Sequence, residues 1–397
     1  MDTEHLTNKI CAVFLVLVIF MGFLLSDSYG FLGRMSSYPH QSRSELNSPD
    51  AITLSGLEKD YAERIPHKTK LINLNGTLSK ALGFRDFYSD KNIYVTDDGY
   101  IVGIYPKTST DHEFINTADL NSFLKNNGIE LIYVNEPVKY DDDEFTYLEF
   151  GLESHVNRNA TVFLDRIRAE GIPVIDLRDN AKTDGINSKQ LFYRTDHHWT
   201  VPAGLWAARI MAEGLNEYAG YDIDPGIFDD SEYSYTEYKN CWLGEQGQMM
   251  GAGYTGLDDY TEIKPVFTTD YTFKEKGGDV KGSFDDFINE SIYTSGNDVH
   301  TSPSWHYSYS LRNCINNNVD KGKILMLVDS YDHVTEPFLS LAVHELDTIT
   351  IRNCDPDFDL KSYITENGYD TVMICYAEFM IGAHDNPQSA NYRMFDF

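Results

Sequence analysis

Near the carboxyl end of the chain, Lys323-Ile324-Leu325-Met326-Leu327-Val328 is apolar on consecutive residues after its lysine. No other segment constrains the fold as much. Alternate residues of a strand face opposite ways, so an unbroken apolar run describes a strand covered on both faces. The pattern after it predicts a helix from Glu336 to Glu345, a strand from Thr348 to Ile351, a helix from about Phe358 to Asn367 and a strand from Thr371 to Cys375. The same rhythm occupies an earlier block: helix Asp119 to Asn126, strand Glu130 to Val134, helix Thr161 to Glu170, strand Pro173 to Leu177. Strands alternating with helices predict an α/β fold, a doubly wound and mostly parallel sheet with helices on both faces.

Other segments sit around this frame. Lys70 to Leu82 reads as a helix, and Ile93-Tyr94-Val95 and Tyr100-Ile101-Val102 read as a hairpin turning at Asp97-Asp98-Gly99. Thr200 can cap a helix with Pro202 in its first turn, running through Trp206 to Leu215. From about Tyr221 to Ser310 the rhythm breaks into Tyr-, Asp-, Gly- and Thr-rich chain, an irregular β-rich insertion over 221–310. Its Trp242, Tyr254, Trp305 and Tyr307 are candidates to line a glycan groove, since exposed aromatics stack on sugars; the competing reading is that they pack the insertion.

In open α/β sheets, functional residues collect beyond the carboxyl ends of the strands. Ser330, Asn353 and Tyr376 occupy such positions. Upstream, Asp196-His197-His198-Trp199 places a carboxylate two residues before a histidine. A serine hydroxyl is a weak nucleophile until a base removes its proton, and the base needs a carboxylate to fix its tautomer. Asp196, His198 and Ser330 supply these three parts, in that chain order. Asp196, His197 and His198, with His333 close behind Ser330, also raise a metal site. Neighbours on an extended segment point to opposite faces, however, so His197 and His198 are not expected to share one ion, and His197 reads as structural.

Thr195 to Thr200, followed by the Lys323–Ser330 strand and Tyr331, resembles the DHHW family. This is the AlgX/AlgJ-type branch of SGNH-hydrolase-like proteins, which O-acetylate exported polysaccharides such as alginate. Leu57 to Pro66, the hairpin from Asn92 to Val102, and Asn135-Glu136-Pro137-Val138-Lys139 resemble further family segments. The resemblance implies Ser330 as nucleophile, His198 as general base and Asp196 as its orienting acid. It also implies a polysaccharide acceptor and an acetyl donor delivered by a membrane-bound O-acyltransferase. No cofactor or metal is implied. Two departures stand out: Val328 replaces a glycine before Asp329-Ser330, and the usual oxyanion glycine and asparagine are replaced by Arg352-Asn353 and Tyr376-Ala377-Glu378. Asn353, Arg352, Tyr376 and Tyr331 are therefore the candidates for oxyanion and substrate contacts, beside the Ser330 N–H. The same residues would equally serve a glycan acetyl esterase, and an inactive glycan-binding scaffold of an export complex is the third reading.

Charge narrows the partners. With 62 acidic against 32 basic side chains and a net charge of −30, nucleic acid is excluded as a partner, and a polyanion such as alginate is disfavoured. Ile10 to Leu25 is an uninterrupted apolar run close to the roughly 20 residues a spanning helix needs. It predicts an uncleaved N-terminal signal anchor over 1–29, with a cleaved signal peptide as the alternative. A flexible stalk over 30–55 and a catalytic domain over 56–397 would follow, giving a single-pass membrane protein with an extracytoplasmic domain. Apart from Cys11 in that run, Cys241, Cys314, Cys354 and Cys375 lack metal-ligand spacing, which leaves disulfides and free thiols both open.

Overall fold

The computed structural model describes Ser36 and residues 68–87, 92–139, 153–288, 312–382 and 391–397. The chain divides into two compact units, 1–79 and 80–397. The described part of the first is Ser36 and the start of the helix Lys68–Ala81. No helix among the described residues is long and apolar enough to cross a membrane. This corrects the expected single-pass N-terminal anchor; the run 10–25 on which it rested, and the stalk apart from Ser36, lie outside the described residues.

The second unit begins with a three-stranded antiparallel sheet, β1 (Asp86–Phe87), β2 (Ile93–Val95) and β3 (Ile101–Gly103). Its main sheet has eight strands. In chain order these are β4 (Glu130–Glu136), β5 (Val174–Asp176), then after a separate hairpin of β6 (Tyr233–Trp242) and β7 (Asp258–Pro265), β8 (Tyr271–Phe273), β9 (Val280–Gly282), β10 (Cys314–Asn316), β11 (Lys323–Val328), β12 (Glu345–Ile349) and β13 (Thr371–Ala377). Their spatial order is β5-β4-β13-β11-β12-β10-β8-β9. The first five are parallel, and β10, β8 and β9 continue the sheet antiparallel. The segment expected as an irregular insertion thus supplies both a free-standing hairpin and the sheet's far edge.

Side-chain alternation splits the central strands between two cores. Ile324, Met326 and Val328 of β11 and Met373, Cys375 and Ala377 of β13 enter the core that also holds the helix Val201–Ala219. Leu325 and Leu327, with Val372, Ile374 and Tyr376, enter the opposite core with residues of the helices Asp111–Asn126, Val156–Ala169 and Leu360–Asn367. Burial on both faces is what an unbroken apolar strand requires. The helix Val201–Ala219 starts at Thr200, whose hydroxyl accepts from the Ala203 N–H. A methyl at Gly204 would lie 2.5 Å from the Val334 carbonyl oxygen. Glycine there lets the helix close on the turn that follows Ser330.

Boundaries shift where side chains take backbone partners. The helix expected from Glu336 to Glu345 stops at Leu339, and Glu345 already belongs to β12. The amide of Asn316 donates to the Ser340 and Leu341 carbonyls, claiming groups a longer helix would need. The four cysteines outside the amino-terminal run, Cys241, Cys314, Cys354 and Cys375, are free thiols.

Candidate active site

Val328 ends β11 and is fully buried, so a branched side chain fits where the resembling family has glycine. The next residue, Asp329, caps the short 3-10 turn Ser330–His333. One of its carboxylate oxygens accepts the Tyr331 N–H at 2.8 Å, and the other accepts the Ala377 N–H at 2.8 Å. Asp329 therefore ties the turn carrying Ser330 to the carboxyl end of β13. Burial raises its pKa, while these two N–H groups and Arg352 oppose the rise.

Asp196 and His198 stand on the segment between Tyr193 and the helix at Val201, which Phe192 and Trp199 close as an isolated bridge. His198 Nδ1 lies 2.8 Å from Asp196 Oδ1, and His198 Nε2 lies 2.8 Å from Ser330 Oγ. Asp196 is wholly buried, and its Oδ1 also accepts the His198 N–H at 3.0 Å. Its Oδ2 accepts the Glu245 N–H at 2.8 Å. Burial alone would raise the Asp196 pKa, but His198 holds it well below the ordinary carboxylate range. Burial disfavours charge on His198 as well, yet the Asp196 carboxylate wins and lifts its pKa above the usual value.

The two segments clasp each other a second time. Trp199 Nε1 donates to the Tyr331 carbonyl at 2.8 Å, and the Tyr331 hydroxyl donates to the His197 carbonyl at 2.6 Å. These bonds join residues 132 and 134 positions apart in sequence. They fix His198 and Ser330 in register independently of the contact between them.

The remaining sequence candidates disperse. Tyr331 belongs to the site, as the clasp shows. Tyr376 lies within β13 rather than beyond it, on the opposite core, and its hydroxyl donates to the Met394 carbonyl at 2.7 Å. Strand alternation puts it on the wrong face. Asn353 is exposed and closes a turn through its N–H to the Thr350 carbonyl. Arg352 donates to Asn391 Oδ1 at 3.0 Å, and its charge reaches both Asp329 and His197. Trp242 is fully buried, stacked on Tyr193 and Tyr260, and Tyr254 is nearly so. They pack the core rather than line a groove, while Trp305 and Tyr307 lie outside the described residues.

His197 departs from the expected geometry. Its ring centre is 3.9 Å from that of His198, and Asp196, His197 and His198 all present ligand atoms within 4.8 Å of one another. The segment turns here instead of extending, so the argument from opposite faces does not hold. Both nitrogens of His198 already have partners in Asp196 and Ser330, however. Burial, with His198 alongside, pulls the His197 pKa down to about 3. A second group, Glu136, Asp329 and Asp332, is entirely buried. Both oxygens of Asp329 are occupied by N–H groups. Burial, with repulsion among the neighbouring carboxyls, raises Glu136 and Asp332 well above ordinary carboxyl values.

Sequence reasoning missed what holds Asp196. Thr195 accepts the Gly244 N–H through its hydroxyl at 2.8 Å and the Gly247 N–H through its carbonyl at 2.7 Å. Asp258 Oδ2 accepts from both the Thr195 N–H and hydroxyl, at 2.8 and 2.7 Å. Gly244 and Gly247, on either side of Glu245-Gln246, were the available signal. A small cavity lies alongside, lined in part by Tyr105, Lys139, His197, Gln246, Tyr331 and Phe379.

A family model described as the SGNH hydrolase-like domain of acetyltransferase AlgX matches residues 108–321, more than half of the chain, taking in Asp196 and His198 and ending before Ser330. The alginate biosynthesis protein AlgX of Pseudomonas syringae pv. tomato is 25% identical over 175 residues, 41% of this chain and 34% of that protein. The chain thus spans about a third of that relative's length. Among solved structures, Bacillus cereus PatB1 with a sulfonyl adduct is 18% identical with a TM-score of 0.60, over 77% of this chain and 97% of that one. A DHHW family protein from Eubacterium siraeum is 16% identical with a TM-score of 0.52, over 77% and 94% of the two chains. These two share the fold. The chain belongs to the family of SGNH hydrolase-like domains of the AlgX acetyltransferase type.

Proposed function

We propose that this domain is an O-acetyltransferase that carries acetyl on Ser330 and passes it to a hydroxyl of a polysaccharide. The observation that carries the reading is the unbroken hydrogen-bond chain from Asp196 through His198 to Ser330, with both links at 2.8 Å. His198 Nε2 takes the Ser330 proton as Oγ attacks the acetyl carbonyl. The tetrahedral intermediate collapses, His198 returns the proton to the departing group, and acetyl-Ser330 remains. A sugar hydroxyl then loses its proton to the same nitrogen and attacks, releasing the acetyl ester and restoring the serine. Asp196 stabilises the imidazolium formed in each half-reaction.

The acetyl donor in this reading is delivered by a membrane-bound O-acyltransferase, as the family resemblance implies. The net charge of −30 favours a neutral acceptor over a polyuronate. The test supplies p-nitrophenyl acetate with neutral or polyuronate oligosaccharides at low and high salt, and measures acetylated sugar against free acetate. Transfer to the neutral sugar should exceed hydrolysis, and raising salt should narrow the gap between acceptors. Acetate released to water alone, whatever the acceptor, would make the domain an esterase.

A further inference from the structure

One buried cation has no part in the chemistry above. Lys139 follows β4, is 4% exposed, and extends its ammonium toward the segment that carries Asp196. Its Nζ donates to the Tyr193 carbonyl at 3.2 Å, the Arg194 carbonyl at 3.3 Å and Gln246 Oε1 at 2.9 Å. An ammonium has three N–H bonds, and these three acceptors match them. Tyr193 and Arg194 immediately precede Thr195-Asp196, and Gln246 immediately follows Glu245, whose N–H binds Asp196 Oδ2.

The geometry points to Lys139 as a positioning residue for the Asp196–His198 pair, clamping the two backbone segments that hold the Asp196 carboxylate. This rests on reading Asp196–His198–Ser330 as the catalytic chain. Burying a lysine is costly, and burial pulls its pKa down to about 7 even though Asp196 and Asp258 pull it up. A lysine serving packing alone would be replaced at lower cost by an apolar side chain. Here the charge also lies close enough to Asp196 for each to favour the ionised form of the other. The three Lys139 N–H groups go to Tyr193, Arg194 and Gln246 rather than to His198 or Ser330, so its effect on the pair passes through Asp196.

The test is a double-mutant cycle of Lys139→Met and Asp196→Asn, read as kcat/KM on p-nitrophenyl acetate, with thermal unfolding measured in parallel. Lys139→Met should lower kcat/KM on the order of 10- to 100-fold. In the Asp196→Asn background the same change should cost no more than about 3-fold, because coupled residues are not additive. Lys139→Arg should recover part of the loss, and Gln246→Leu, which removes one acceptor, should produce a smaller loss. The His198 pKa, followed by NMR in a Ser330→Ala protein, should fall on Lys139→Met whether or not turnover is observed, because losing the aligned Asp196 carboxylate outweighs the rise that removing a nearby cation alone would give. A rise would show the charge effect alone and overturn the assignment. Multiplicative effects, or a lower Tm with kcat/KM and the His198 pKa unchanged, would overturn the assignment. Absence of any Ser330-dependent turnover in the otherwise unaltered protein would count against the catalytic reading instead, leaving the His198 pKa to decide the role of Lys139.

Discussion

His198 sits between two demands that its environment settles in one direction. It is nearly buried, which by itself would keep it neutral and poorly basic, but the Asp196 carboxylate 2.8 Å away reverses that and raises its pKa. A general base works in its neutral form, so kcat/KM should rise with pH and level off above the His198 pKa, at a point higher than an ordinary histidine would give. Asp196→Asn removes the charge but keeps the shape. The variant should lose on the order of 10⁴-fold in kcat, and its rising limb should move to lower pH. A pH–rate profile checks both, and an unmoved limb would mean that Asp196 does not set the basicity of His198. The pair also links to stability, with opposite signs for its members. The depressed pKa of Asp196 contributes stability above the unfolded carboxyl value near 3.8, lost as pH falls below it. The raised pKa of His198 contributes stability that is complete below 6.5 and lost as pH rises through the folded value.

Elements meet at the site with little slack. A methyl at Gly244 would come within 2.3 Å of Asp196 Cβ, 2.5 Å of its Oδ2 and 2.7 Å of its Cα. Backbone cannot yield as a flexible side-chain tip can, so Gly244→Ala must push the helix Glu245–Met250 away from Asp196. Loss of the Glu245 N–H bond should follow, with about 1–3 kcal/mol of destabilisation and a roughly 100-fold fall in kcat/KM. Chemical denaturation and steady-state kinetics on one preparation would measure both; unchanged kinetics would show that this helix does not set the position of Asp196. Such contacts mark where sequence reading stops. The strand at Lys323–Val328 was legible because burial on both faces demands an apolar run. Asp196, His198 and Ser330 were legible because their residue types and spacing are unusual. The bonds from Gly244, Glu245 and Lys139 were not, since they join segments far apart in sequence mostly through backbone groups that any residue carries. Tyr376 was misplaced for a related reason: ending β13 at Cys375 rather than Ala377 turned a core tyrosine into a site candidate.

At the scale of the whole molecule, five parallel strands bring the carboxyl ends of β11 and β13 side by side, and the helix at Val201 brings the histidine segment over them. The parallel order was readable from the alternation of strands and helices. The antiparallel extension by β10, β8 and β9 was not: Tyr271-Thr272-Phe273 alternates in sequence, but strands of three residues are too short for a pattern to show which strands they pair with. The central claim is the proposal that Ser330, aligned with His198 and Asp196, carries an acyl group. Its most direct test is the intact mass of the protein after brief exposure to p-nitrophenyl acetate, alongside Ser330→Ala and His198→Ala. A single acetyl adduct that maps to Ser330, is absent from both variants and is discharged faster by added oligosaccharide than by water is the predicted result. Turnover that persists in Ser330→Ala, or an adduct located on another residue, would contradict it.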